Sequence, residues 1–174
     1  MKIAHHTIGP GAPPFIIAEM SGNHNQSLDK ALEIVEAAAK AGAQALKLQT
    51  YTADTMTLNI SDGDFFIKDE QSPWRGKNLY DLYNLAHTPW EWHAPIMERA
   101  QELGMTCFST PFDRSAVDFL ETLNVFAYKI ASFEIVDLPL IRYIAEQGKP
   151  IILSTGMATL TEIDEAVRTT GGRQ

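Results

Sequence analysis

The chain has 174 residues, 45% hydrophobic and 21% charged, a composition that suits a single globular core. Its formal net charge of -8 leaves no basic stripe for nucleic acid or an anionic membrane surface, and no apolar run nears the roughly 18 residues of a membrane span. One cysteine, Cys107, excludes an internal disulfide framework, and the start MKIAHHTIGPG lacks the apolar core of a secretory signal, so a cytoplasmic setting is expected.

Lys2 to Pro14 is rich in Gly and Pro and predicts a short hairpin or an irregular cap outside the core. Phe15 to Met20 (FIIAEM) reads as a short strand closed by Glu19, and the polar turn SGNHNQS ends on Ser27, a helix N-cap. Leu28 to Ala41 then sets Leu28, Leu32, Val35 and Ala39 on one helical face, with Gly42 as the stop. Ala45 to Thr50 (ALKLQT) is a second strand, carrying Lys47 and Gln49 on the same face. The mixed stretch from Tyr51 to about Thr88 is too long for an ordinary connection and is expected to be a lid or binding loop. TPWEWHAPIMERAQELG predicts a helix opened near Pro89, with Trp92, Ile96 and Leu103 inward and Pro95 as a candidate kink.

Met105 to Pro111 is the third strand, with Ser109 and Thr110 at its end, and Ser115 is expected to cap the helix AVDFLETLN. VFAYKIASFE, Val125 to Glu134, reads as a strand buried on both faces, with Lys129 in its middle and Glu134 just past its end. A helix from Leu138 to Gln147 stops at Gly148, PIILSTG is the fifth strand, and Thr161 opens a last helix that the chain leaves at Gly171.

Strands alternating with helices are the signature of right-handed crossovers and a parallel sheet, whose strand C-terminal ends form the ligand face. An ammonium left dry in a strand costs several kcal/mol or shifts its pKa, so Lys47 and Lys129 call for an anion or a carboxylate. Glu19, Lys47, Gln49, Thr110, Lys129, Ser132, Glu134 and Ser154 would converge from five strands upon one pocket. Lysines for phosphate or carboxylate charge, hydroxyls to orient oxygens and glutamates for proton transfer suit a small doubly charged substrate. Each residue alone also has a structural reading, as an ion pair or a snorkelling lysine, and a strand lysine can instead form a Schiff base, as in an aldolase. No GxGxxG or GxxxxGK[ST] follows the first strand, which argues against dinucleotides and nucleoside triphosphates. The five histidines lack metal-ligand spacing; His24, in SGNHN beside the pocket, is a candidate substrate contact, and Cys107 is a core residue.

The motifs IAEMSGNHNQS, AGAQALKLQTY, FSTPFD, AYKIASFE and KPIILSTGMA, in that order and spacing, resemble the sialic acid synthase family across nearly the whole chain. AEMSGNHNQSL, the Ala53 to Leu58 run and LYDLYNLAHTPWEWH are most similar to its pseudaminic acid branch rather than to the N-acetylneuraminate branch. The resemblance implies a parallel (β/α)8 TIM barrel that condenses phosphoenolpyruvate with an N-acylated amino sugar, a 2,4-diacetamido-2,4,6-trideoxyhexose, to give a nine-carbon 2-keto acid and phosphate. By it, Lys47, Thr110, Lys129, Ser132 and Ser154 would hold phosphoenolpyruvate; Glu19, Gln49, Glu134, His24 and Asn78 would face the sugar; Glu134 and Glu19 would transfer protons. It also implies a divalent metal, Mn2+ or Mg2+, that polarises the aldehyde, bound by histidines on strands not in this sequence.

A full barrel of this type takes about 250 residues, so five βα units in residues 1–174 are expected to be the N-terminal part of the synthase domain, without the family's C-terminal antifreeze-like domain and with weak or no catalysis. Sheet edges left open by an incomplete barrel expose unpaired backbone and apolar side chains, so the chain by itself is expected to be a homo-oligomer. A monodisperse monomer in sedimentation equilibrium would contradict that expectation.

Overall fold

The computed structural model describes residues 1–171. A small antiparallel hairpin, β1 (Lys2–Ile3) and β2 (His6–Thr7), opens the chain. Five strands follow in one sheet: β3 (Ile17–Glu19), β4 (Ala45–Thr50), β5 (Thr106–Pro111), β6 (Tyr128–Ile130) and β7 (Ile151–Leu153). They lie in sequence order with every neighbouring pair parallel. Parallel neighbours require crossovers, and helices supply them: α1 (Leu28–Lys40) after β3; α2 (Ala53–Met56), α3 (Leu79–Ala86) and α4 (His93–Glu102) after β4; α5 (Arg114–Thr122), α6 (Leu138–Glu146) and α7 (Leu160–Thr169) after the rest. Sequential order in a curled parallel sheet is the geometry of half a (β/α)8 barrel.

The alternation of side chains along each strand sorts the core into layers. Leu46, Leu48 and Cys107 turn outward and pack with Val35 of α1 and Ile96 of α4. Tyr128 and Ile130 pack with Leu120 of α5 and with Ile141 and Ile144 of α6. The opposite face holds Ala45, Phe108 and Ala127, flanked by Ile17 and Ile152. Two residues further along each strand, that inward face turns polar: Glu19, Lys47, Thr110, Lys129 and Ser154 follow Ile17, Ala45, Phe108, Ala127 and Ile152. The inside of the curl is therefore dry at the strand starts and polar at their C-terminal ends.

The hairpin belongs to the core, contrary to the sequence expectation: Ile3 is 1% exposed and packs on Ala45, Phe108 and Ala127, plugging the dry end of the curl. Two-residue strands show no hydrophobic period, so this role was not legible. Asp113, not Ser115, caps α5, because its carboxylate accepts from the backbone N–H groups of both Ser115 and Ala116. Thr159, not Thr161, caps α7, closing a reciprocal capping box with Glu162. Leu103 ends up exposed just past α4, and Pro95 falls in the first turn of α4, where its missing N–H costs no helical hydrogen bond. The stretch expected as a loop from Tyr51 to Thr88 contains α2 and α3, and in Val125 to Glu134 only Tyr128–Ile130 is strand. β3 and β7 are the sheet's two edges, and beyond β7 the side chains of Met157 and Leu160 are largely exposed.

Candidate functional site

The polar layer is a set of contacts rather than a mere neighbourhood. Glu19 and Lys47 are register partners on β3 and β4, and their side chains form an ion pair. Lys47 Nζ also lies 3.5 Å from Thr110 Oγ1 on β5. From β6, Lys129 Nζ donates to Ser154 Oγ at 2.5 Å and to the Ile130 carbonyl at 2.6 Å. Burial, and then the like charge of Lys47, lower the pKa of Lys129, while Glu134 and Glu19 oppose that shift. The lysines therefore sense each other, and carboxylates offset their repulsion.

Glu134 begins a single 3-10 turn, Glu134–Val136, directly after β6. Its side chain is buried, and Oε2 has no hydrogen-bond partner among the described residues. Burial pushes its carboxyl up to about 7, against the pull of a backbone hydrogen bond and Lys129. An orphaned buried carboxyl oxygen costs free energy unless a ligand or water meets it. A carboxyl that titrates near neutrality beside a cation is suited to proton transfer. Ser132, half-buried, lies in the loop between β6 and this turn.

Gln49 joins the cluster through the loop after β3. Ser21 Oγ donates to Gln49 Oε1 at 3.4 Å, and the Ser21 backbone N–H donates to Glu19 Oε1 at 3.2 Å. Sequence reasoning missed Ser21; its φ of 50° is a backbone signal with no motif behind it. His24 and Asn78 are not brought to the lysines as ligand-facing groups. His24 is fully buried, with Nε2 3.1 Å from Thr88 Oγ1 and Nδ1 accepting from the Gln26 N–H. Asn78 caps α3 by accepting from the Asp81 N–H and donates to Ser61 Oγ. Both hold the surrounding segments in place.

Behind the sheet, Thr50 Oγ1 meets His93 Nε2 at 2.8 Å and Ser109 Oγ at 2.7 Å, a buried network that ties β4, β5 and α4 together. Burial lowers the pKa of His93 to about 4, so the ring stays neutral there. Cys107 is buried with its thiol pushed up to about 12, a packed side chain and not a thiolate nucleophile. Among the described residues no group of three or more His, Cys, Asp and Glu is placed to hold a metal ion. Glu19 is ion-paired to Lys47 and Glu134 stands on a different element, so these residues do not fit a metal by themselves.

Comparison with known proteins places this geometry in a family. Pseudaminic acid synthase of Helicobacter pylori is 51% identical over 155 residues, 89% of this chain and 45% of that protein. The pseudaminic acid synthase of Campylobacter jejuni serotype O:2 is 52% identical over 149 residues, 86% of this chain and 43% of that one. The crystal structure of N-acetylneuraminic acid synthetase from Leptospira borgpetersenii superposes with a TM-score of 0.85 at 29% identity, over 99% of this chain and 55% of that chain. The chain spans about half the length of the curated relatives it matches, and no helix among the described residues is long and apolar enough to cross a membrane. The pattern of the NeuB family matches residues 34–174, and the chain belongs to that family.

Proposed function

We propose that this chain carries the phosphoenolpyruvate half of a condensing site, in an enzyme that joins phosphoenolpyruvate to an N-acylated amino sugar and releases phosphate. One observation carries the reading: Lys47 and Lys129 share a half-buried layer at the strand ends, close enough to feel each other's charge, flanked by Thr110 and Ser154, with Glu134 titrating close by. Two partly desolvated ammonium groups that repel each other form a site that gains from a dianion. The names of two relatives, both pseudaminic acid synthases, support a pseudaminic-acid-like product, for which the family resemblance implies a 2,4-diacetamido-2,4,6-trideoxyhexose as the sugar.

In this reading Lys47 and Lys129 neutralise the phosphate and carboxylate of phosphoenolpyruvate, and Thr110, Ser132 and Ser154 orient their oxygens. C3 of phosphoenolpyruvate bonds to the aldehyde carbon of the open-chain sugar, and the aldehyde oxygen takes up a proton. Water then adds at C2 and the C2–O bond to phosphate breaks, leaving a keto group. Protonated Glu134 is the donor to the aldehyde oxygen, and Glu19 and Gln49 face the sugar. A Schiff-base role for Lys129 is less well supported, because a second lysine and the hydroxyls of Thr110 and Ser154 beside it suit a phosphate better than a carbonyl.

Calorimetric titration with phosphoenolpyruvate is expected to give binding that falls by about tenfold or more in Lys129→Ala, the scale of one charged hydrogen bond. Equal affinity in the variant, or no binding to a chain shown to be folded by circular dichroism, would overturn the proposal. Glu134 gives a second test. Between its ordinary value of 4.5 and about 7 the folded chain holds a proton that the unfolded chain has lost. The stability contributed by that proton is full below the lower value and is lost as pH rises through the higher one. Glu134→Gln is therefore expected to gain stability over the parent from about pH 5 to about pH 8, by on the order of 2 kcal/mol in urea denaturation. Parallel pH profiles for the two proteins would show that the carboxyl is not held protonated.

A further inference from the structure

The two lysines of the strand-end layer hold different partners. Lys129 Nζ donates to neutral oxygens, Ser154 Oγ and the Ile130 carbonyl, whereas Lys47 Nζ is paired with a charged one, Oε2 of Glu19. The other contact of Lys47, Thr110 Oγ1 at 3.5 Å, lies at the limit of a hydrogen bond. The Glu19 carboxylate therefore stands where a bound dianion would put one of its own oxygens. The pair is also uneven in exposure: the Lys47 side chain is 15% exposed and the Glu19 side chain 39%. Once parted, the carboxylate can be rehydrated at little cost, while the ammonium needs another anion.

An ion pair on neighbouring strands can serve only to join them, but β3 is held without it. Ile17, Ala18 and Glu19 are in register with Ala45, Leu46 and Lys47, and the Met20 N–H donates to the Lys47 carbonyl at 3.1 Å. Glu121 and Lys149 show the contrasting case of a locked pair. Glu121 Oε1 accepts from Lys149 at 2.6 Å and also from the Tyr128 hydroxyl, and the Lys149 ammonium lies 5.9 Å from the centre of the Tyr128 ring. On Glu19 the second hold falls on the other oxygen, Oε1, which accepts from the Ser21 N–H at 3.2 Å. Oε2 can therefore leave Lys47 while Oε1 stays tethered. Ser21 and Gln49 line a cleft of about 580 Å3 between the loop after β3 and α3, which gives the freed carboxylate space outside the core.

We infer that Glu19 is a resident counter-anion of Lys47, displaced when a dianion binds across the two lysines, and that it sets the affinity of the site by competing with the ligand. The inference rests on the reading proposed above. Without Glu19 the empty layer would leave Lys47 with the hydroxyl of Thr110 as its contact, beside a second ammonium. With Glu19 in place, one of the two charges is neutralised until the ligand arrives. A dianion reaches both lysines, and its own oxygens then offset the broken pair.

The test is calorimetric titration with phosphoenolpyruvate of the parent chain, Glu19→Gln and Glu19→Asp, each first shown to be folded by circular dichroism. Glu19→Gln removes the charge at nearly the same size and is expected to tighten binding by about fivefold, the upper end for an ion pair that touches solvent. Glu19→Asp keeps the charge on a shorter side chain, so it holds Lys47 less well and is expected to tighten binding by a smaller factor. The inference requires tighter binding in each variant, so either one decides if the other does not fold. A carboxylate that only joins β3 to β4, or that contacts the ligand directly, would leave binding unchanged or weaken it, and that result would overturn the inference. A gain in Glu19→Gln with none in Glu19→Asp would overturn it as well, because Glu19 would then act by repulsion and not by leaving Lys47. Binding to none of the folded chains would overturn the earlier reading together with this one, whereas binding that falls in Lys129→Ala but does not rise in the Glu19 variants would overturn this one alone.

Discussion

Lys47 and Lys129 repel each other across the inner face of a curled parallel sheet, and much of the local structure answers that repulsion. Glu19 pairs with Lys47, the Ile130 carbonyl and Ser154 accept from Lys129, and Glu134 adds a carboxyl whose charge is held back by burial. Partly buried cations gain from such partners but do not lose their mutual repulsion, which a bound dianion would relieve. Stability and binding thus pull against each other at this layer, as they do at many functional sites.

The layer can exist because of what lies on its other sides. Apolar side chains facing α1, α4, α5 and α6 fix the strands from outside, and each such side chain fully buried is worth roughly 1.5–3 kcal/mol. From below, Ile3 and its neighbours close the dry end of the curl, so the polar groups face one way only. The Thr50, His93 and Ser109 network then ties the central strands to α4 without placing a charge behind the sheet. The site is consequently built on rigid strands and opens at their C-terminal ends, with loops supplying its outer wall.

Much of this was legible in the sequence, for identifiable reasons. Lys47 and Lys129 stand out because an ammonium contradicts the apolar run that carries it, and period-two spacing put Gln49 beside Lys47. Ser27 and Gly42 marked the ends of α1 through cap chemistry. The caps at Asp113 and Thr159 were misplaced because a second acceptable residue stood two positions away, and only hydrogen-bond geometry decides between them. His24 and Asn78 were read as ligand contacts because polar residues near a site look alike in sequence; whether a ring turns inward depends on a loop with left-handed residues. The cleft between the loop after β3 and α3 was legible only in part: Tyr51 to Thr88 reads as a binding loop, but nothing in the spacing shows that residues 21–26 and 49–51 line the same cleft.

If half of a barrel already holds the proposed dianion site, a crystal structure of the chain soaked with phosphoenolpyruvate will show it. Phosphate and carboxylate density is expected to bridge the side chains of Lys47 and Lys129, with Thr110 and Ser154 in contact and the Glu19–Lys47 pair loosened. Density elsewhere on the protein, or an unchanged lysine layer at saturating ligand, would contradict it.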